Sequence, residues 1–251
     1  MNATEVQRPL RSASQRARVF SENWVKNHFN CPCCSSSLSH TPNNTIALDF
    51  ICTDCSQGFE LKSKLGNFGK TVVNGAYGTL VECIRAGNAP NLLLLSYSDD
   101  LDVRSLLVIP KRFFVEEIVV PRRPLGPQCR RAGWRGCNLN LSILPDAAKI
   151  ECVRDFKAVD QSEIANRWRE TSFMDSLSPR GQGWLAVVMG LISKLKRRDF
   201  CLDDLYRFEG EMKLLYPHNH NIRAKLRQQL QRLRDAGWIA FEGQGCYRLN
   251  Y

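Results

Sequence analysis

Short continuous runs of apolar residues, separated by polar segments, dominate the middle of this 251-residue chain. Runs of this length predict buried strands rather than helices. The predicted strands are 91–98, 104–110, 138–143 and 149–153. A helix is predicted at 76–85 and a loop at 66–75, while 13–27 is predicted to be a helix or a docked arm. This mixed order indicates an α/β or α+β domain.

In the last quarter of the chain, apolar residues recur every third or fourth position, which is the period of an amphipathic helix. The predicted helices are 184–196, 203–216 and 221–235. Two short β-like runs, 238–242 and 246–249, flank a three-residue Gly-Gln-Gly turn, which predicts a hairpin. Three helices followed by a hairpin is the order of a winged helix. We therefore expect two domains, 1–178 and 179–251.

Four of the eleven cysteines form two C-x2-C pairs separated by seventeen residues. This spacing is typical of a structural four-thiolate zinc site, which folding completes by bringing the two pairs together. The predicted ligands are Cys31, Cys34, Cys52 and Cys55, while Cys33 is surplus. The remaining cysteines are expected to be buried free thiols that need no disulfide. They are Cys83, Cys129, Cys137, Cys152, Cys201 and Cys246.

Two carboxylates and a lysine surround the second cysteine pair. Residues 45–51 have the composition of a strand, and 59–62 can be the strand that returns beside it. Period-two alternation places Glu60 and Lys62 on one face, and pairing can bring Asp49 beside them. Such a group can hold a divalent cation and position a water for phosphodiester hydrolysis. The spacing D-x10-E-x-K matches the PD-(D/E)xK nuclease superfamily; the alternative is a set of solvated surface charges.

The formal net charge of +10 is concentrated in two regions and indicates a polyanionic partner such as nucleic acid. Residues 111–135 carry seven basic and two acidic residues, and residues 180–251 carry thirteen basic and seven acidic ones. In the first region the candidate DNA contacts are Arg130, Arg131, Trp134 and Arg135. The alternative is a solvated loop with Trp134 in the core.

The third C-terminal helix has one apolar and one polar face. At 100° per residue, the predicted core stripe comprises Ile222, Leu226, Leu230 and Leu233. Gln231 lies on the opposite face, where glutamines edged by cations suit a helix that reads the major groove. The candidate DNA contacts here are His220, Asn221, Ala224, Lys225, Arg227, Gln228 and Arg232. The alternative is a solvated helix face.

Together these features resemble the DpnI-type restriction endonucleases, which depend on adenine methylation and cut 5′-GATC-3′ when the adenine carries an N6-methyl group. The resemblance covers almost the whole chain. It is carried, in order, by Ser14-Gln15, Trp24-Val25, the cysteine pairs, residues 59–64, 66–68, 75–77, 130–134, 136–138, 206–209 and 227–230. One departure is Leu48, which stands where the superfamily often has proline before its aspartate.

The resemblance implies a PD-(D/E)xK catalytic core with an embedded zinc site, followed by a winged helix. Asp49, Glu60 and the main-chain carbonyl of Leu61 would ligate Mg²⁺, and Lys62 would hold the attacking water or stabilise charge at phosphorus. Glu22 is a candidate for an additional carboxylate. Trp134 is the first candidate, and Trp238 a second, for an apolar wall against the methyl group.

Competing with this nuclease is a non-enzymatic zinc and winged-helix transcriptional regulator, in which the acids and lysine would be surface charges. No apolar run approaches the roughly 18 residues that span a bilayer. The start of the sequence also lacks the features of a signal peptide. We therefore expect a cytoplasmic bacterial protein that acts as a monomer on methylated double-stranded DNA.

Overall fold

The computed structural model describes residues 12–42 and 48–250. Its helices in these ranges are α1 Ala13–His28, α2 Tyr77–Arg85, α3 Gln161–Arg169, α4 Pro179–Lys194, α5 Leu202–Tyr206, α6 Glu209–Leu215 and α7 Ile222–Asp235. Its strands are β1 Leu38–His40, β2 Phe50–Cys52, β3 Gly58–Leu65, β4 Thr71–Ala76, β5 Asn91–Tyr97, β6 Val103–Ile109, β7 Val119–Pro121, β8 Gly136–Asn140, β9 Ile150–Arg154, β10 Lys157–Ala158, β11 Asp199–Cys201, β12 Ile239–Gly243 and β13 Cys246–Leu249. None of these helices is long and apolar enough to cross a membrane.

A mixed seven-stranded sheet forms the centre of the N-terminal part, in the order β1-β2-β3-β5-β6-β9-β10. Strand β5 is buried along almost its whole length because both faces of the sheet are covered. Leu92 and Leu94 pack into one core with α2 and α4, whereas Leu93 and Leu95 pack into a second core with α1 and α3. Among the described strands, only β3 and β5 pair in parallel, since the connection through β4 and α2 carries the chain back to the end of the sheet at which β3 began.

A separate three-stranded sheet, in the order β4-β8-β7, includes a strand that the sequence did not predict. Residues 71–75 were predicted as loop, which is wrong, because β4 pairs with β8 across more than sixty residues of chain. Exposed residues alternate with the buried Val72 and Asn74 on this strand, so no continuous apolar run marks it. Residues 119–121 form β7, which lies within the basic segment 111–135.

Helix α4 belongs to both parts of the molecule. Residues 183–192 of α4 are all buried, and one core joins them to Phe113 and Ile118 on one side and to Leu226 and Leu230 of α7 on the other. The order α4, α5–α6, α7 and the β12–β13 hairpin confirms the winged helix, to which β11 adds a third strand. The segment predicted as one helix at 203–216 is two, and the predicted three-residue turn is only Gln244-Gly245.

Other predictions differ from the structure. Helix α3 was not predicted, since Gln161–Arg169 has only two buried residues and so no clear apolar stripe. Strand β11, which has three residues, was not predicted either. Asp49 was expected near the end of a strand at 45–51, but β2 begins one residue after it. Residues 45–47 of that predicted strand lie outside the described residues. The other predicted helices and strands are confirmed with small shifts of their ends.

The expectation that six cysteines are buried free thiols is wrong for several of them. Cys201 and Cys246 form a disulfide, because β11 pairs with β13 and places them opposite each other. Cys129 is exposed and Cys83 half-buried. A sequence separation of 45 residues hid the disulfide, since the strand that carries Cys201 was not predicted.

The close approach of α4 to the N-terminal part requires a glycine at position 190. A Cβ there would lie 1.9 Å from the main-chain oxygen of Ile143. We expect Gly190→Ala to lower the free energy of unfolding by at least about 2 kcal/mol, because the backbone must shift to make room. The measurement is the urea midpoint of unfolding.

Gly210→Ala is the matched control for this substitution. Gly210 also lies in a helix, α6, but its Cβ position has open space around it. We expect the control to raise stability by about 0.5 kcal/mol through its effect on the unfolded chain. Equal midpoints for the two variants would show that α4 can move freely against Ile143.

Candidate active site and nucleic-acid interface

The β2–β3 hairpin places Asp49 beside the second strand. Phe50 lies opposite Phe59, and the Asp49 N–H donates to the Phe59 carbonyl at 2.9 Å. The Asp49 carboxylate accepts a hydrogen bond from the Leu61 N–H at 2.7 Å. The pairing predicted for this region therefore does bring Asp49 to the middle of β3, although Asp49 precedes β2 instead of lying within it.

Glu60 and Lys62 lie on the same face of β3, as the period-two alternation predicted. The Lys62 Nζ is 2.5 Å from Oε1 of Glu60. Glu60 is only 6% exposed, and its second oxygen, Oε2, has no hydrogen-bond partner among the described residues. A buried carboxylate oxygen without a donor is costly, so this position suits a cation better than solvent.

Helix α1 contributes a charged pair to the same neighbourhood. Arg18 and Glu22 are 2.5 Å apart, and this hydrogen bond raises the pKa of Arg18, with the charge of Asp49 acting in the same direction. Within the described residues, the one group of three or more metal-ligating side chains close enough to share an ion is formed by cysteines. The structure therefore does not gather Glu22 with Asp49 and Glu60.

The second sheet faces this acidic group with a cation. Burial raises the pKa of the Cys137 thiol on β8, and that thiol also senses the charges of Arg122, Glu60 and Lys62. A Cβ on Gly136 would overlap the Arg122 guanidinium, so the glycine lets Arg122 lie directly over β8. Sequence motifs gave no reason to single out Arg122 or Arg18, because neither belongs to a recognisable spacing.

The four predicted zinc ligands converge in one cluster. The sulfurs of Cys31 and Cys55 are 3.6 Å apart, those of Cys34 and Cys52 are 3.4 Å apart, and all four lie within 4.8 Å of one another. Four sulfurs around a tetrahedral ion with bonds of about 2.3 Å would be separated by about 3.8 Å, so the cluster fits a metal that prefers thiolates. Burial raises the pKa of Cys55 to about 12. Bound metal would offset this cost by stabilising the thiolate.

The basic segment 111–135 divides into an inward and an outward part. Arg112 is 1% exposed; it donates to the Thr171 hydroxyl and to Asp175 and stacks on Trp168, so this arginine is structural and not available to DNA. The outward part holds Arg130, Arg131 and Arg135, which are all exposed.

Trp134 is half-buried among arginines and does not lie in the core. The guanidinium carbons of Arg131 and Arg122 lie 4.9 and 5.8 Å from its ring centre. A ring held this way can remain accessible at a surface that binds phosphates. Trp238 is only 4% exposed, so it is unsuited to contact a methyl group on DNA.

Helix α7 has the two faces that the sequence predicted. The core stripe of Ile222, Leu226, Leu230 and Leu233 is at most 2% exposed. Exposed on the helix or just before it are His220, Asn221, Ala224, Arg227, Gln228 and Gln231, while Lys225 and Arg232 are half-buried on its edge. The outward face therefore presents amides flanked by cations.

The model of the DpnI Dam-replacing family matches residues 1–177, and the model of the Dam-replacing helix-turn-helix domain matches residues 180–249. The chain belongs to the DpnI family. The predicted resemblance is thereby confirmed, as is a nuclease core with a four-cysteine cluster followed by a winged helix. Membership of the DpnI family supports a methylation-dependent restriction enzyme that binds DNA.

Substitutions of the neighbouring Cys34 and Cys33 should have different effects on metal binding. Cys34→Ser removes one of the four converging sulfurs, so we expect bound metal to fall by at least tenfold and the β2–β3 hairpin to lose stability. Cys33→Ser changes an exposed thiol in the same turn and should keep one metal ion per chain. Elemental analysis of the purified variants measures both. Equal loss of metal from the two variants would contradict the assignment of Cys34, and not Cys33, as a metal ligand.

Proposed function

We propose that this protein is a Mg²⁺-dependent endonuclease that cleaves double-stranded DNA at 5′-GATC-3′ when the adenine is N6-methylated. The observation that carries the nuclease chemistry is the partnerless Oε2 of buried Glu60, beside Asp49 and Lys62. Membership of the DpnI family supports the dependence on methylation. The four-base site itself comes only from the resemblance of the sequence.

Asp49, Glu60 and the Leu61 carbonyl are the proposed Mg²⁺ ligands. In a strand, the N–H and C=O of one residue point to the same edge. Because the Leu61 N–H donates to Asp49, its carbonyl is directed to the same side, next to a carboxylate. When bound, Mg²⁺ supplies Lewis-acid stabilisation of charge and makes a bound water more acidic.

Lys62 is proposed to hold the attacking water and to stabilise negative charge that develops at phosphorus. Its ammonium is restrained by Glu60, so its position is set before DNA binds. Arg18 and Arg122 add positive charge on two sides of the acids, where phosphates would lie. In-line attack would leave a 5′-phosphate and a 3′-hydroxyl.

Zn²⁺ is the proposed occupant of the four-cysteine cluster, with a structural role. Four thiolates leave no open coordination position for a substrate. The cluster lies at the turn of the same hairpin that carries Asp49 and Glu60, so it holds the register of the catalytic strands. The enzyme is proposed to act as a monomer.

Trp134 is the proposed contact for the methyl group of adenine. Burial of one methyl carbon is worth about 0.8 kcal/mol, which is only about a fourfold preference at one site. Reading both strands, and reading in both domains, would multiply this preference. The half-buried ring, fixed between arginines, provides a rigid apolar surface for such a contact.

Cleavage of plasmids from methylating and non-methylating hosts tests the proposed activity. With Mg²⁺ we expect cutting of the methylated plasmid only. Asp49→Asn should lower the cleavage rate by at least a thousandfold, because the substitution removes a carboxylate ligand of Mg²⁺. DNA binding should persist, because the substitution removes none of the cations that contact DNA. Asp99→Asn, in an exposed turn beyond the far end of β5, is the carboxylate control and should cut normally.

Two results would contradict these proposals. Failure to cut either plasmid would leave a DNA-binding protein without nuclease activity, as in the regulator hypothesis. Equal cutting of both plasmids would remove the methyl dependence alone.

Helix α7 is proposed to read bases through Gln228. We expect Gln228→Ala to reduce the ratio of affinities for methylated GATC and random duplexes by about five- to tenfold, because an amide contact to adenine is worth about 1–3 kcal/mol. Affinity for the random duplex should change by less than twofold. Fluorescence anisotropy with both duplexes measures this ratio. Equal losses of affinity for the two duplexes would show that Gln228 contacts the DNA backbone and does not read a base.

A further inference from the structure

Three cations meet where the first turn of α4 approaches the edge of α7. Arg180, Lys225 and Arg232 line a cleft of about 470 Å³, together with Ser176, Ser178 and Asn219. None of the described residues that line this cleft is an aspartate or a glutamate. Lys225 and Arg232 both lie on α7, whereas Arg180 lies on α4, so the packing of α7 against α4 brings Arg180 to the other two.

The positive charge of this cleft is not neutralised by the protein. In the part of the chain that the structure describes, none of the three cations has a carboxylate within 4 Å. Burial lowers the pKa of Lys225, and the charges of Arg232 and Arg180 lower it further. Glu117 lies on the other side of Arg180, where its carboxylate accepts the Tyr216 hydroxyl at 2.8 Å.

Donors are available for an anion in this cleft. Lys225 donates to Gln228 at 2.7 Å, and Arg232 donates to Gln229 at 3.5 Å, so each uses one of several N–H groups. Arg180 is exposed, and its side chain has no hydrogen-bond partner within the described residues. Cations held together without a counterion favour a multivalent oxyanion over a neutral ligand.

The position of the cleft favours the DNA backbone over a small anion. It opens on the edge of α7, beside the outward face that carries Ala224 and Gln228. Lys225 belongs to both features, because it lines the cleft and holds the side chain of Gln228. Phosphate contacts next to a reading helix fix its register on the duplex.

We propose that Arg180, Lys225 and Arg232 clamp one phosphate of the DNA backbone next to the base that Gln228 reads. This inference rests on the proposed function, since it assumes that α7 faces DNA. The clamp also joins the two parts of the chain to one strand of DNA, because Arg180 lies in the first turn of α4, the helix that packs into the N-terminal core. Lys225 transmits the position of the phosphate to the amide of Gln228.

Binding of the full chain to duplexes without Mg²⁺, measured over a range of salt concentrations, tests the clamp. Arg180→Ala should weaken binding to methylated GATC and random duplexes alike, by about fivefold at about 0.15 M salt, because one phosphate contact is lost. The slope of log affinity against log salt concentration should fall by about 0.9. Arg180→Glu should cause a larger loss on both duplexes.

Lys194→Ala is the control, because it removes one exposed cation from the opposite end of α4, about 20 Å away. It should leave both affinities and the salt slope unchanged. Equal slopes for Arg180→Ala and the unaltered chain would overturn the clamp, as would a loss confined to the GATC duplex. Arg180 is exposed, so Arg180→Ala and Arg180→Glu should both leave folding intact.

Inorganic phosphate distinguishes a small-anion site from a DNA clamp. Phosphate at matched ionic strength could raise the melting temperature of the unaltered chain but not of Arg180→Ala. If this occurs while DNA affinity is the same in both, the cleft binds a free anion and the clamp is wrong. Failure of the proposed cleavage would appear separately, as uncut methylated plasmid with normal binding.

Discussion

The pairing of β2 with β3 is the constraint on which the candidate active site depends. Its register, with Phe50 opposite Phe59, brings Asp49 to the Leu61 N–H and leaves Glu60 and Lys62 on one face. A shift of one residue would turn Glu60 and Lys62 to the other face of the sheet. Cys52 and Cys55 of the cysteine cluster lie at the turn of this hairpin, so the cluster and the acids are parts of one local structure.

Helix α4 has a corresponding role for the whole molecule. Its residues 183–192 are all buried because they supply core residues to both the α/β part and the winged helix. Its approach to the main chain at Ile143 is so close that position 190 must be glycine. Because α4 packs against both parts, the α/β part and α7 share one core, which fits the proposed reading and cleavage of one short sequence.

Electrostatics then distinguishes the working surfaces from the structural ones. Arg112 is paired with Asp175 and stacked on Trp168, and it stabilises the fold. By contrast, the cations around the Trp134 loop and along α7 have few acidic partners and remain directed outward. Much of the net charge of +10 is thus available to bind a polyanion. The affinity for that polyanion should fall as the salt concentration rises.

The sequence determined the features that depend on local spacing. The C-x2-C pairs, the period of two in Glu60 and Lys62, and the apolar stripe of α7 each follow from a repeat within a few residues, and the structure has all three. Strand β4, the Cys201–Cys246 disulfide and the inward turn of Arg112 were not predictable in this way. Each depends on a partner tens of residues away.

Tertiary structure alone decided which charges meet. The charges of Arg122 and Glu60 both reach Cys137, and Arg180 comes to lie near Lys225 and Arg232, because sheets and helices far apart in the chain pack against one another. Burial also decides between the two tryptophans that the sequence offered as contacts for the methyl group, because Trp134 is half-buried and Trp238 is only 4% exposed. The physical reason is that periodicity records which face of an element is buried, whereas the neighbour of that face is set only when the elements pack.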